Sequence, residues 1–251
     1  MKKIFKITFG IILLLAIGLY IGTVCILPSI VNNKAVIDKL QSFVHNKTGI
    51  ETTIIGLNLK ISPKLNLVLN IDSIDAKNKN VAVANIKNLY LSYELLQKHL
   101  TLVSADNIFI NGNTLKQFKR DKCKSGNKPE FKGIPEVHIQ NFIFKSDELS
   151  INARNINTND NFLTLNAAIN APFLKETLKM GDTGSLQVIE NNLHANKFKV
   201  TLGNSQLYID GILFDKNKTR DFDINGEKLP VSEIMPMLLH LQKSKDPSKK
   251  F

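Results

Sequence analysis

The chain has 251 residues, of which 43% are hydrophobic and 22% charged, with a formal net charge of +11. That composition excludes a disordered chain, and two cysteines exclude a disulfide framework. The excess charge is concentrated in loops and ends. Lys116 to Lys132 carries seven bases against Asp121 and Glu130, and Lys243 to Phe251 carries four lysines against Asp246. A basic face interleaved with base-stacking aromatics is missing, so nucleic acid is not an expected partner. Lysines distributed in this way suit anionic lipid headgroups or simple solvation.

Ile7 to Leu27 is an uninterrupted run of uncharged, mostly apolar residues. As a helix it extends about 31 Å, against a hydrocarbon core of ~30 Å. Lys2, Lys3 and Lys6 precede it and no such cluster comes after it before Lys34, which places the N-terminus in the cytoplasm and the rest beyond the membrane. Gly22 to Leu27 is a poor cleavage site, so the segment reads as an uncleaved anchor. Residues 1–28 are therefore a cytoplasmic stub and a single-pass span.

Pro28 ends the span. Ile30, Val36, Ile37, Leu40, Phe43 and Val44 then recur at helical spacing, and Gly49 supplies a stop. This amphipathic helix either rests on headgroups or plugs the end of the strands after it. From Ile50 the period becomes two. Ile55, Leu57, Leu59 and Ile61 alternate with polar residues, as do Leu65, Leu67, Leu69 and Ile71. Val81 and Val83 begin a strand, Leu89, Leu91 and Tyr93 form another, and a helical turn is expected at Glu94 to Lys98. Leu100 and Leu102, then Ile108 and Ile110, lead to Asn111-Gly112, which reads as a hairpin turn. Such alternation predicts an antiparallel sheet with one apolar and one wet face.

The charged stretch 119–136, with Gly126, Pro129, Gly133 and Pro135, has no period and reads as a basic linker between two β subdomains, 29–118 and 137–228. Strands resume at Val137 to Lys145, Glu148 to Ile156, Phe162 to Ala171, Leu186 to Ile189, Leu193 to Leu202, Gln206 to Phe214 and Arg220 to Asn225. Pro172 to Met180 looks like a short helix. Residues 229–251 read as a C-terminal helix and a basic tail.

The five histidines show no metal-ligand spacing, and no phosphate-binding loop or nucleophile elbow is present. Asp182-Thr183-Gly184 spells the core of an aspartic-protease site, but it lacks the apolar lead-in and a second copy, so a turn is expected. Neither enzyme nor cofactor is predicted.

Several motifs resemble the N-terminal region of the AsmA-like family. They are Thr48-Gly49-Ile50, Ile55-Gly-Leu-Asn-Leu, Pro63-x-Leu-x-Leu-x-Leu and Asp72-Ser-Ile. They continue with Leu89-x-Leu-x-Tyr-Glu-Leu-Leu-Gln and then Leu102-Val-Ser-Ala-Asp-Asn-Ile-Phe-Ile. Phe222-Asp-Ile-Asn-Gly-Glu-Lys-Leu-Pro is similar to a later family segment. The resemblance implies a twisted sheet folded into an open apolar groove, a location in the inner membrane with the bulk of the chain in the periplasm, and phospholipid as cargo in envelope biogenesis. Groove-lining residues would be Leu57, Leu59, Leu65, Leu67, Leu69 and Ile71, followed by Leu89, Leu91, Tyr93, Ile108 and Ile110. Family members that bridge membranes are usually longer than this chain. An anchored β-sandwich scaffold that binds an envelope protein partner and carries no lipid is the alternative.

Overall fold

A computed structural model describes residues 24, 27–62, 64–116, 135–159, 161–189, 192–214, 221–227, 230, 232 and 235–236. The run Ile7 to Leu27 lies outside these residues except for Val24 and Leu27, and no described helix is long and apolar enough to cross a membrane. The predicted C-terminal helix likewise falls almost wholly outside them.

The chain enters through two helices, α1 (Leu27–Val31) and α2 (Lys34–Thr48). Asn32 and Asn33 separate them, and Asn33 caps α2, its side chain accepting from the Ala35 N–H. Gly49, at φ 71, ends α2 in the left-handed cap that glycine tolerates best, as the sequence predicted.

Among the described residues, thirteen strands come next and join one sheet. They are β1 (Glu51–Ile55), β2 (Asn58–Ile61), β3 (Asn66–Asn78), β4 (Val81–Glu94), β5 (His99–Asn111), β6 (Glu136–Lys145) and β7 (Ser150–Asn159). The remainder are β8 (Phe162–Asn170), β9 (Leu178–Met180), β10 (Ser185–Ile189), β11 (Asn192–Leu202), β12 (Ser205–Phe214) and β13 (Asp221–Glu227). Strand order tracks chain order. β1 and β2 both pair with β3, and β9 and β10 both lie between β8 and β11, so each of these pairs is one strand line with a break.

Four expectations change. The sheet is mixed rather than antiparallel, because β5 and β6 run parallel, from Leu102 beside Glu136 to Asn111 beside Lys145. Asn111-Gly112 therefore makes no hairpin, and Gly112–Lys116 forms a short helix, α3, that begins the crossover a parallel pair requires. The strands on either side of the basic segment thus belong to one sheet. Pro172 to Met180 is not a helix, since Leu178–Met180 is strand β9, held by β8 on one side and β11 on the other. Leu65 does not extend the alternation of β3, because it lies in the preceding turn with φ 58.

The β2 edge is occupied by α1. Asn32 uses both ends of its amide on Leu59, accepting from its N–H at 2.6 Å and donating to its carbonyl at 3.2 Å. This satisfies an edge that would otherwise offer unpaired backbone groups.

Candidate functional site

One feature recurs in strand after strand. Apolar residues alternate at i, i+2 along each half of a strand, then skip to i+3 near its middle. The steps are Ile54 to Leu57, Ile71 to Ile74, Ile86 to Leu89, Ala105 to Ile108, Ile139 to Phe142, Ala153 to Ile156 and Ala195 to Phe198. The third residue of the four is Gly56, Ser73, Asn88, Asn107, Asn141, Asn155 and Lys197 in turn. In four of them it sits in the left-handed region: Gly56 at 69°, Asn88 at 51°, Asn155 at 51° and Lys197 at 45°. Glycine and asparagine reach this region at least cost.

In those same four strands both residues inside the step are exposed, while the residues on either side of it are buried or half-buried. The backbone turns over locally, so the apolar set stays on one face although its phase has changed. Register aligns the steps. Ile54 pairs with Ile74, Ile74 with Ile86, Ile86 with Ile108, Ile108 with Phe142 and Phe142 with Ala153. On the other flank Ile71 pairs with Leu89, Ala105 with Ile139 and Ile139 with Ile156. The result is a crease running across the sheet, perpendicular to the strands.

The crease continues toward the C-terminal end with different chemistry. In β8 no step occurs; β7 bulges instead between Arg154 and Asn157. Between β9 and β10 the loop Gly181–Gly184 takes its place. A Cβ at Gly181 would lie 1.6 Å from the Leu165 carbonyl oxygen, and one at Gly184 2.1 Å from that of Lys197. The Asp182-Thr-Gly triplet is thus a turn packed on neighbouring backbone, as expected.

Buried residues line this crease, although Ser205, Leu202 and Val83, which lie off it, are buried as deeply. Ala105 is 1% exposed, and Ile71, Ala153, Ala167, Ala195 and Phe198 are also buried. Small alanines at these positions let the backbone close up. Farther from the crease the same face carries Leu67, Leu69, Leu91, Tyr93, Ile110 and Phe144, all half-buried. Toward the C-terminal end the flanks meet, where Leu186 and Ala195 from one side form a cluster with Phe198, Val200 and Leu207 from the other.

The opposite face is polar at the crease. Asn88 Nδ2 donates to Asp106 Oδ2 at 2.5 Å, and Gln140 Nε2 donates to Asp106 Oδ1 at 3.0 Å. This ladder ties β4, β5 and β6 together outside the bend. Asn58, Asn70, Asp72, Asn88 and Tyr90 surround an open recess on that side. Farther along, His138 lies between Asn157 Oδ1 at 3.0 Å and Glu136 Oε1 at 2.8 Å. Both oxygens accept, so both ring nitrogens donate when the imidazole is charged. The Asn157 bond first, then Glu136, raise its pKa above the ordinary 6.5.

Most of the expected lining residues come together. Leu67, Leu69 and Ile71 pair across with Tyr93, Leu91 and Leu89, and Leu67 and Leu69 pair with Ile61 and Leu59 on the other side. Ile108 and Ile110 join them through Ile86 and Ala84. Leu57 is half-buried beside Gly56, and Leu65 stands apart in its turn. Sequence reasoning missed the face's continuation through Ile139, Phe142, Ala153, Ala167 and Val200. The repeated apolar-x-Asn-apolar step was the signal that marked it.

Among the described residues no group of three His, Cys, Asp or Glu is placed to hold a metal. Comparison with protein-family models, with characterised proteins and with solved structures gives no match.

Proposed function

We propose that this chain is a membrane-anchored envelope protein of AsmA-like type, which binds or conducts lipid acyl chains along the apolar face of its creased sheet. The observation that carries the reading is the continuity of that face. It runs through the phase step of strand after strand, with small buried alanines beside the step. From β1 to β8, before the flanks meet, seven strand positions at ~4.8 Å make an open path of about 30 Å, longer than one extended acyl chain. A ~16-carbon chain leaving a bilayer forfeits upwards of 10 kcal/mol at ~0.8 kcal/mol per CH₂, so a conduit must present unbroken apolar surface.

In this reading the two flanks fold toward the apolar side and form an open groove, and the half-exposure of Leu67, Leu91 and Phe144 is the space that lipid fills. Ile7 to Leu27 anchors the chain in the inner membrane, with the sheet in the periplasm. The cargo class is phospholipid, and no chemistry is performed on it. An anchored scaffold would need a second layer to cover the same face, and the described strands form one sheet.

The test is lipid retained by the purified full chain. Leu69→Asp puts a carboxylate on the half-exposed apolar face and should strip lipid while leaving cooperative unfolding in place. Lys60→Asp, on the other face of β2, should change neither. Wild-type protein that carries no lipid, together with an unfolded Leu69→Asp, would replace the groove by a closed protein core.

A further inference from the structure

The helix α2 has two faces that do different things. Ile37, Gln41 and Val44 are half-buried, on the side that packs on β1. About a quarter-turn away, Leu40, Phe43 and Lys47 form a second, exposed stripe at i, i+3 and i+7, with the half-buried Val36 at its end. Leu40 is 47% exposed and Phe43 63%, and in α1 Ile30 is 54% exposed. No residue of α2 is buried. Large apolar side chains exposed together on consecutive helices mark an interaction surface.

Two further observations identify the occupant. The helices begin where the 21-residue apolar run Ile7 to Leu27 ends, and this step rests on reading that run as the membrane anchor. Only Asn32 and Asn33 separate α1 from α2, so α2 cannot stand far from the bilayer surface. The charge also fits. Lys39 flanks the exposed stripe and Lys47 closes it, while Lys34 and the single acid, Asp38, lie on the side away from it.

We infer that α2 lies flat on an anionic lipid surface, with Leu40 and Phe43 inserted among the acyl chains and the lysines at the headgroups. Asn32 holds Leu59 of β2 and α2 packs on β1. The surface therefore fixes the β1/β2 end of the sheet against the membrane, and the apolar face starts at headgroup level.

The chain has no tryptophan, so Phe43→Trp gives a single reporter at an exposed site. The full-length variant is placed in vesicles of phosphatidylcholine and phosphatidylglycerol, with and without bromine on the acyl chains. Ile224→Trp, on the far strand β13, is the comparison. The expected result is at least about a twofold loss of Phe43→Trp emission in brominated vesicles, none for Ile224→Trp, and relief when Lys39 and Lys47 are changed to glutamate. Phe43→Trp emission that is insensitive to bromine while the chain floats with the vesicles overturns the surface helix and leaves the anchor standing. If that insensitive emission is also blue-shifted, a protein surface covers the stripe instead. A chain that does not float with the vesicles overturns both the helix and the anchor.

Discussion

Asp72 fills the space that a side chain on Gly56 would need. A Cβ built on Gly56 would lie 1.9 Å from Asp72 Oδ2, and the glycine holds φ at +69°. The contact stands at the first step of the crease, where β1 and β2 part to let β3 bend between them. Gly56→Ala should destabilise the protein by about 1–3 kcal/mol, part from left-handed strain and part from displacing the carboxylate. Asp72→Ala in the same chain should recover the second part only. Urea midpoints of the two single variants and the double variant separate the contributions, and a neutral Gly56→Ala would show that the step does not depend on this glycine.

Asn88 combines a positive φ with a side-chain bond to Asp106. Asn88→Gly should keep the backbone step and lose only the bond, whereas Asn88→Val loses both and costs roughly 1–2 kcal/mol more. Equal midpoints for the two variants would remove the crease from the account of stability.

The segment joining β5 to β6 has a distance to cover. Read from its composition alone it is an expendable linker, but the parallel register obliges it to return about 30 Å, from the end of β5 to a point beside Leu102. Deleting Lys119 to Lys132 and joining the ends with two glycines leaves roughly 28 Å of fully extended chain after Lys116, short of that return unless α3 unwinds. That variant should lose cooperative unfolding, and a Gly/Ser replacement of the original length should restore it. If both fold alike, β5 and β6 are not neighbours in solution.

His138 should titrate above its ordinary value, because both of its ring nitrogens face acceptors. The sign comes from the raised folded-state pKa. The stabilisation is fully present below about pH 6.5, the unfolded value, and is lost as pH rises through the folded value. Proton NMR of the imidazole checks this. Asn157→Ala should lower the pKa most and Glu136→Gln less, and an unshifted wild-type value would show that the bonds do not persist.

Orientation is open to a direct measurement. In the proposed topology Lys2, Lys3 and Lys6 lie on the cytoplasmic side, so a reporter active only in the cytoplasm, fused after Gly126, should be silent. Activity there would reverse the topology.

Strands and their apolar sides were legible because Leu67, Leu69 and Ile71 alternate cleanly. Their lengths were not. A reading by i, i+2 treats a change of phase as the end of a strand, so Val81 to Glu94 was divided at the Ile86 to Leu89 step, although the ladder runs through it. The signal was local and repeated, with an asparagine or glycine inside an i, i+3 apolar pair. The parallel seam was beyond reach for another reason. Alternation tells which side of a strand is apolar, not which neighbour pairs with it or in which direction. Leu178 to Met180 was misassigned because Phe173, Leu174 and Leu178 suit a helix, and only ladder bonds from both sides draw the last three residues into the sheet.

The crease also separates two dimensions that most folds tie together. In a closed barrel, adding a strand changes the diameter. Here most strand lines carry the bend in their own four residues, so cross-section is written locally, while length is simply the number of strands. A chain of this kind can grow by one hairpin, about 10 Å at a time, and keep the same gauge throughout.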